Sequence, residues 1–234
     1  MISEAIVLAG GLGTRLKSAV PDLPKCLAPV AGKPFLGYLL RFWQQQGVQR
    51  FVFALGYKKE EVKRFVQAAL SPAEYVFSIE KEPLGTGGAI YQACQMAKGS
   101  VTLVLNGDTF FGLNLQAFSS FHQEQKADCT LALKPMKQFD RYGIVELDRQ
   151  QRVNGFSEKK YMESGLINGG AYALQVKHFL AKSFPLVFSF EKDYLEKEYR
   201  KDRICGMISD AYFIDIGIPE DYRRAQTEWI QHFS

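Results

Sequence analysis

A short apolar run that leads directly into a glycine-rich segment constrains the fold of this chain more than any other stretch. Residues 4–16 read Glu-Ala-Ile-Val-Leu-Ala-Gly-Gly-Leu-Gly-Thr-Arg-Leu. The run Ala5–Ala9 predicts a buried strand, and the three glycines after it predict a loop with few side chains. Backbone N–H groups in such a loop can close around phosphate oxygens, and Arg15 adds a fixed positive charge. The segment therefore predicts a phosphate-binding loop at the end of a strand.

Two common glycine motifs do not fit this loop. A dinucleotide fingerprint that starts at Gly11 requires glycine at position 16, which is Leu16. A P-loop that starts at Gly10 requires Gly-Lys-Ser/Thr at 15–17, where the sequence is Arg-Leu-Lys. A glycine turn that serves packing alone is the remaining alternative.

The first half of the chain alternates apolar strands with amphipathic helices. The pattern predicts strands at 5–9, 50–55, 75–79, 101–105 and 129–133, and helices at 34–46, 58–70, 86–97 and 114–126. This rhythm indicates an α/β fold of the Rossmann-like kind, with a mostly parallel, buried sheet and flanking helices. Ligands of such sheets lie at the carboxyl ends of the strands. The glycine loop and Asp108 each follow a strand end, so we expect them to converge.

Shorter strands follow in the second half. They are predicted at 143–147, 153–157, 166–174 and 204–208, with helices near 176–182, 190–201 and 219–231. We expect one domain over residues 1–234 with two halves, 1–135 and 136–234, of which the second would form a small mixed subregion and a C-terminal helix.

Composition excludes several classes of protein. The chain has 234 residues, 47% of them apolar, and a formal net charge of +4, which is compatible with anionic substrates. It has no basic tract typical of nucleic-acid binding. Its four cysteines form no C-x-x-C pair, which disfavours zinc and indicates reduced thiols. No signal-like segment or membrane-length apolar run occurs, so we expect a soluble cytoplasmic protein without nucleic-acid or membrane partners.

Six segments, in order, resemble the sugar-1-phosphate nucleotidyltransferases. They are Leu8-Ala-Gly-Gly-Leu-Gly-Thr-Arg-Leu16 with Pro24-Lys25, Glu82-Pro-Leu-Gly-Thr-Gly-Gly-Ala89, Asn106-Gly-Asp108, Gly155-Phe-Ser-Glu-Lys159, Ile167-Asn-Gly-Gly-Ala-Tyr172 and Phe213-Ile-Asp-Ile-Gly217. The resemblance runs from residue 4 to about residue 225. One such motif is a weak signal, but six with sensible spacing are a strong one.

A narrower resemblance is to the guanylyltransferases of D-glycero-D-manno-heptose 1-phosphate, which activate a heptose for bacterial surface polysaccharides. Four segments carry it: Pro34-Phe-Leu36, Arg141-Tyr-Gly-Ile-Val145, Ser189-Phe-Glu-Lys-Asp193 and Gly217-Ile-Pro-Glu-Asp-Tyr222. This resemblance implies GTP and a sugar 1-phosphate as substrates. Mannose-1-phosphate guanylyltransferase and a hexose- or muramate-1-phosphate uridylyltransferase are alternatives within the class.

The reaction implied by the resemblance is an electrostatic problem. A sugar phosphate oxygen attacks the α-phosphorus of a nucleoside triphosphate, so two anions must meet while charge builds on the leaving pyrophosphate. Positive groups and a divalent metal solve this by positioning and stabilisation. The resemblance implies Arg15 and Lys25 as the catalytic cations. It implies Asp108 and Asp215 as the ligands of Mg²⁺, which prefers oxygen ligands.

The remaining implied site residues divide between nucleotide and sugar phosphate. Those for the nucleotide are Leu8, Ala9, Gly10, Gly11, Gly13, Thr14, Glu80, Gly85, Thr86, Gly87 and Gly88. Those for the sugar phosphate are Gly143, Glu158, Lys159, Asn168 and Gly169. Glu158 would accept sugar hydroxyls and Lys159 would pair with the phosphate. Solvated surface charges and structural glycine turns are the alternatives for these residues.

The carboxylate of Glu80 favours guanine. A carboxylate only accepts hydrogen bonds, and guanine presents two adjacent donors, whereas uracil places one N–H between two carbonyl groups. A glutamate exposed to solvent at a strand end is the alternative.

Two other classes of protein remain to be weighed. A non-catalytic nucleotide-sugar sensor would be expected to lack one of the charged residues named above, and all are present. A glycosyltransferase of related fold would carry Asp-x-Asp after a strand, where this chain has Asp108-Thr-Phe. The three histidines, His122, His178 and His232, fall in predicted helices and are expected at the surface. Sequence patterns give no interface, and a homodimer is one candidate state.

Overall fold

The backbone of the molecule is organised around one large mixed sheet. The computed structural model describes all of the chain except residues 12, 14, 15, 17, 18 and 234, and it describes no side chains beyond residue 229. The strands are β1 (Glu4–Leu8), β2 (Pro29–Val30), β3 (Lys33–Pro34), β4 (Arg50–Leu55), β5 (Tyr75–Ile79), β6 (Val101–Asn106), β7 (Thr109–Phe111), β8 (Cys129–Phe139), β9 (Ile144–Leu147), β10 (Val153–Ser157), β11 (Met162–Gln175), β12 (Ile204–Ile208) and β13 (Phe213–Asp215).

Four parallel strands, in the order β6-β1-β4-β5, form one side of the nine-stranded sheet. In β1 the side chains of Ala5, Ile6 and Val7 are fully buried, because neighbouring strands and helices cover both faces. Ile6 lies opposite Val52 of β4 and Val104 of β6. The predictions of an α/β fold and of these four strands are confirmed.

The long strand β11 joins the two halves of the chain. It pairs antiparallel with β6 over Ala171–Gln175 and with β8 over most of its length, and it also contacts β9. β12 adds a parallel strand beside β8, and β10 pairs with β9. The expected mixed subregion is therefore not a separate sheet. Its strands extend the main sheet, and β8 itself runs across the predicted boundary at residue 135.

The helices cover both faces of this sheet. They are α1 (Phe35–Gln45), α2 (Lys59–Ala69), α3 (Gly85–Cys94), α4 (Leu115–Glu124), α5 (Val176–Leu180), α6 (Glu196–Glu198) and α7 (Pro219–Phe233). Side chains of α1, α2, α4 and α7 pack in one apolar cluster, and those of α3 and α5 pack in the other. No helix in the described ranges is both long and apolar enough to cross a membrane.

Helix boundaries follow local signals where such signals exist. Asn114 caps α4 as predicted, since its side-chain oxygen accepts a hydrogen bond from Ala117 N–H at 2.8 Å. α3 ends at Cys94 rather than Ala97, because the chain tightens into a turn there. The helix predicted at 190–201 is a π-helical turn at Phe190–Leu195 followed by the short α6.

Two short strand pairs were not predicted. β2 pairs with β3, and β7 pairs antiparallel with β13, so that Thr109 lies opposite Asp215. Strands of two or three residues are too short to show an apolar period. The β7–β13 pair nevertheless determines the active site, because it brings Asp215 beside Asp108, which directly precedes β7.

Candidate active site

Three charged side chains converge at the carboxyl end of the parallel strands. Lys25, in a 3-10 turn at Lys25–Leu27, donates a hydrogen bond from Nζ to Asp108 Oδ2 at 3.1 Å. A Cβ placed on Gly217 would lie 2.7 Å from Asp215 Oδ1, 3.2 Å from Lys25 Nζ and 3.4 Å from Asp108 Oδ2. The two carboxylates and the ammonium group predicted from the sequence therefore surround one point.

The negative charge of Asp108 opposes the ionisation of Asp215 at this point. Burial, followed by the negative charge of Asp108, raises the pKa of Asp215 to about 6. The N–H of Gly217, which donates to Asp215 Oδ1 at 2.7 Å, and the charge of Lys25 act in the other direction. These two contacts offset the repulsion only in part, since the pKa of Asp215 stays raised, and two carboxylates that line adjoining cavities are suited to a cation.

A small cavity of about 240 Å³ lies beside this charged cluster. Five residues that the resemblance implies for the nucleotide line it together with Lys25 and Asp108, namely Leu8, Ala9, Gly11, Gly13 and Thr86. Cys26 also faces this cavity, but burial and Asp108 raise the pKa of its thiol to about 12, so it is not a nucleophile at neutral pH. The predicted residues Thr14 and Arg15 lie outside the described part of the chain.

Glu80 and Gly10 are in contact behind the small cavity. A Cβ at Gly10 would lie 2.6 Å from the Gly56 nitrogen and 3.0 Å from Glu80 Oε1, so only glycine fits between them. The other carboxylate oxygen, Oε2, accepts a hydrogen bond from Leu84 N–H at 3.0 Å. Neither residue lines the cavity. Glu80 thus fixes the start of the 84–88 segment, while Oε1 remains beside the glycine loop.

The glycines of the 84–88 segment have a packing function that the sequence did not reveal. The aromatic ring of Phe188 lies against Gly87, where a Cβ would come within 2.2 Å of Phe188 Cε2. A Cβ at Gly85 would lie 2.4 Å from Phe188 O, and one at Gly88 would lie 2.7 Å from Leu186 O. None of these three glycines lines either cavity. Nucleotide contact by Gly85, Gly87 and Gly88 stays a prediction.

A larger cavity of about 1010 Å³ adjoins the small one, and both are lined by Asn106 and Glu191. Four of the residues predicted to bind the sugar phosphate line it, namely Gly143, Glu158, Lys159 and Asn168. Asp215 also lines it, so this carboxylate belongs both to the large cavity and to the charged cluster. The exposed pair Glu158 and Lys159 follows directly after β10.

Gly169 does not line the large cavity, and Gly170 does. The cause is an irregularity in β11, whose register against β8 shifts between Asn168 and Tyr172. Bulges of this kind re-aim side chains next to functional sites. A Cβ at Gly169 would lie 2.4 Å from the Phe111 ring, which shows that this residue packs inward. Contact of Gly169 with the sugar phosphate stays a prediction.

Asn168 is held in place within this bulge. Its Nδ2 donates to Tyr172 Oη at 2.8 Å, and its Oδ1 accepts from Gly170 N–H at 3.0 Å. Burial raises the pKa of Tyr172 well above its usual range, so the phenol stays neutral.

Several residues that line the large cavity were not assigned a role from the sequence. The polar ones include Thr109, Arg141, Tyr142, Ser189, Glu191, Lys192, Glu196 and Glu220. Three segments of the narrower resemblance, 141–145, 189–193 and 217–222, contribute most of them. Arg141 is anchored by Asp221, whose buried Oδ2 lies 3.0 Å from Arg141 Nη2. The signal for these residues was present in the motifs, but only the fold shows that they face one cavity.

A second charged cluster lies away from both cavities. Ligand atoms of Asp128, His178 and Asp202 lie within 4.8 Å of one another, the spacing of a metal site. The ammonium group of Lys182, however, lies 2.9 Å from Asp202 Oδ1, and His178 Nε2 lies 3.1 Å from Asp202 Oδ2. The ammonium group of Lys182 therefore already balances the charge of this buried carboxylate, and we interpret the cluster as a structural ion pair with a neighbouring histidine.

The expected surface position is wrong for His122. This side chain is 1% exposed, with Nδ1 2.8 Å from Thr130 Oγ1. Burial lowers the pKa of His122 to about 4. His178 is partly exposed, and the side chain of His232 lies outside the described residues.

The fold and the site together define a class of enzyme. A parallel sheet carries a glycine loop, a lysine and two aspartates at its carboxyl edge, next to two adjoining cavities. The chain belongs to the nucleotidyl transferase family, which it matches over residues 4–232. The prediction of a sugar-1-phosphate nucleotidyltransferase is confirmed.

Among its relatives, the chain is similar to two proteins of one specific activity. It is 47% identical over 230 residues to the D-glycero-alpha-D-manno-heptose 1-phosphate guanylyltransferase of Aneurinibacillus thermoaerophilus, which covers 98% of this chain and 99% of that one. It is 45% identical to the enzyme of the same name from Campylobacter jejuni, over 94% of this chain and 96% of that one.

A solved structure shows the same fold. HddC from Yersinia pseudotuberculosis, crystallised in complex with GMP-PN, superposes with a TM-score of 0.87 at 38% identity. The match covers 97% of this chain and 100% of that chain.

Proposed function

We propose that this chain transfers the guanylyl group of GTP to D-glycero-D-manno-heptose 1-phosphate, with Mg²⁺, and releases pyrophosphate. The observation that carries the proposal is the convergence of Lys25, Asp108 and Asp215 where the two cavities adjoin. Full-length similarity to two enzymes named for this heptose phosphate supports the choice of substrate. The cytoplasm is the compartment that we propose.

The two cavities suit the two substrates. The triphosphate would occupy the small cavity against the glycine loop, and the sugar would occupy the large one. A phosphate oxygen of the sugar phosphate attacks the α-phosphorus, the new P–O bond forms, and the bond to the β-phosphate oxygen breaks. The leaving pyrophosphate takes the electron pair. The attacking phosphate is already anionic, so the reaction requires no protein base.

Lys25 would contribute the positive charge at the reacting phosphate. Its ammonium group is placed by Asp108 and lies at the junction of the charged cluster and the small cavity. A donor prepositioned where charge develops is the largest single contribution to catalysis in many enzymes. We propose that Arg15, on the glycine loop, binds the outer phosphates.

Asp108 and Asp215 would hold the metal ion. The two carboxylates line adjoining cavities, and burial together with the charge of Asp108 raises the pKa of Asp215. They form an oxygen donor set that fits Mg²⁺, whose coordination in such sites is completed by substrate phosphates and water. The ion would supply charge neutralisation and alignment of the phosphates.

The substrate-specific contacts divide in the same way. Glu80 Oε1, beside the glycine loop, would accept the two guanine donors. Glu158 and Lys159 would bind the sugar hydroxyls and phosphate, and Asn168 with the backbone at Gly143 would contact the ring. Neutral Tyr172 keeps Asn168 oriented for this purpose.

A matrix of substrates tests the proposal. Purified enzyme with Mg²⁺ would be given GTP, ATP, UTP or CTP with the 1-phosphates of heptose, mannose and glucose, and pyrophosphate release would be measured. We expect the highest kcat/KM for GTP with the heptose. The Asp108→Asn variant is the matched control for contaminating activity. A preference for UTP with a hexose 1-phosphate would refute the assignment. If no pair of substrates gave pyrophosphate, the result would favour a non-catalytic sensor.

A further inference from the structure

Residues 184–191, which we call the strap, lie across the first turn of α3. Phe188 N–H donates to Leu84 O at 3.1 Å, and Gly87 N–H donates to Phe188 O at 3.0 Å. The ring of Phe188 is buried against Gly87 and stacks on Phe184 with centroids 4.4 Å apart. The strap therefore ties the segment that carries Thr86 to the segment that enters the wall of the large cavity.

One side chain at the end of the strap faces both cavities. Glu191 Oε2 accepts hydrogen bonds from Thr86 Oγ1 at 2.7 Å and from Ser189 Oγ at 3.0 Å. Thr86 Oγ1 in turn accepts from Phe190 N–H at 2.9 Å. Since a hydroxyl group has one proton to donate, these bonds fix the direction of the Thr86 hydroxyl toward Glu191.

The second carboxylate oxygen of Glu191 has no donor among the described residues. A carboxylate placed where two phosphate-bearing substrates meet repels the phosphates, and it attracts hydroxyl donors. A heptose carries several hydroxyl groups, and Glu191 is part of the wall of the cavity proposed for it. Because two hydroxyl groups hold Oε2, the carboxylate group is fixed and the direction of Oε1 is fixed with it.

We propose that Glu191 Oε1 accepts a hydroxyl of the sugar 1-phosphate and that Thr86 positions it. Glu191 is thus a specificity-determining residue for the sugar, and Thr86 makes its orientation depend on the nucleotide-binding segment. The proposal rests on the proposed function, because it requires a sugar phosphate in the large cavity.

Binding of deoxygenated substrates tests this contact. The sugar 1-phosphate selected by the substrate matrix, and its monodeoxy analogues at each carbon, would be titrated calorimetrically with a non-hydrolysable GTP analogue present. We expect Glu191→Ala to weaken the parent sugar phosphate about tenfold, as for a hydrogen bond to a charged group. Wild type and Glu191→Ala should bind one deoxy analogue with equal affinity, because that analogue lacks the hydroxyl group that Glu191 accepts.

Two sets of controls separate this contact from structural damage. Glu196→Ala removes another carboxylate from the same wall. Any loss of affinity that it causes relative to wild type should be the same for the parent sugar phosphate and for every deoxy analogue. Thr86→Val should reproduce the Glu191→Ala pattern more weakly, whereas Thr86→Ser, which keeps the hydroxyl, should restore it. An equal loss for every analogue with Glu191→Ala would overturn the proposal. Failure of the substrate matrix itself would count against the proposed function instead.

Discussion

Asp215 illustrates how a reaction site is built at the expense of stability. The side chain is partly buried beside Asp108, and the same geometry that raises its pKa to about 6 makes its charge costly at neutral pH. For an acid whose pKa is higher in the folded chain than the ordinary 3.8, stability is lost as the pH rises from 3.8 through about 6. In the function that we propose, a bound cation would offset this cost.

Replacement of Asp215 by asparagine should therefore have opposite effects on turnover and stability. We expect Asp215→Asn to lower kcat by roughly 10²–10³, the usual cost of losing an electrostatic stabiliser. We also expect the free energy of unfolding of the metal-free protein at pH 7 to rise by about 1–3 kcal/mol, since each pKa difference of one is worth about 1.4 kcal/mol. The asparagine oxygen can still accept from Gly217 N–H.

Pyrophosphate release and denaturant unfolding in EDTA measure these two effects. Asp210→Asn, at an exposed carboxylate paired with Lys134, is the matched control. If Asp215→Asn kept full turnover at limiting Mg²⁺, Asp215 would not be a metal ligand.

One substitution can separate the structural contact of Glu80 with Leu84 from its proposed contact with guanine. One oxygen holds Leu84 N–H and the other lies beside Gly10. Glu80→Gln keeps an acceptor for Leu84, but its amide group repels a guanine donor and can donate to a uracil carbonyl. We expect the GTP/UTP ratio of kcat/KM to fall by about tenfold or more, as for a lost hydrogen bond to a charged group.

The comparison is internally controlled, because both nucleotides share the phosphate site. An unchanged ratio with lower activity on both would show that Glu80 serves the loop alone, and base recognition would then belong to backbone groups.

The contact between α4 and β8 makes the stability of the protein sensitive to acid. His122 of α4 is buried against Thr130, and burial lowers its pKa from 6.5 to about 4. Above pH 6.5 the side chain is neutral in both states, so its contribution to stability is fully present. As the pH falls from 6.5 to about 4, only the unfolded chain gains the proton, and stability is lost.

We expect this loss to reach about 3 kcal/mol near pH 4, from about 1.4 kcal/mol for each pKa difference of one. His122→Gln, which does not titrate, should reduce the slope of unfolding free energy against pH in this window. Urea unfolding followed by circular dichroism at several pH values measures it. Parallel pH profiles for variant and wild type would contradict the assignment.

The strands whose bounds the sequence predicted are at least five residues long. β4, β5, β10 and β12 begin and end where expected, because each is a run of five or six residues bounded by polar or turn residues. β7 and β13 have three residues each and show no period. The bulge that selects Gly170 over Gly169 depends on pairing with β8, which no local pattern reports.

The site was predictable to the extent that short motifs preserve it. Lys25, Asp108 and Asp215 lie far apart in sequence, yet each lies within a recognisable motif, and the fold brings them together. Glu191 and Arg141 lay within recognised segments without an assigned role, because their partners Thr86 and Asp221 come from distant parts of the chain. Long-range side-chain contacts of this kind are not encoded in spacing.

The whole molecule should unfold as one unit. β11 pairs with β6 of the first half, with β9 of the second half and with β8, which crosses the boundary between them, so neither half keeps a complete sheet without it. We expect a single calorimetric transition whose van't Hoff and calorimetric enthalpies agree. A non-hydrolysable GTP analogue with Mg²⁺ should shift that transition upward as a whole. Two resolved transitions, of which only one responds to the nucleotide, would show that the halves are independent.

The two cavities have Asn106 and Glu191 in common and are otherwise lined by different described residues. Substitutions at residues that line the larger cavity alone, such as Arg141, Lys192 and Glu196, leave the lining of the small cavity untouched. If the larger cavity holds the sugar, as we propose, a lineage can exchange one sugar for another at such positions while it inherits the phosphate chemistry unaltered. The architecture separates what must be preserved from what is free to diversify.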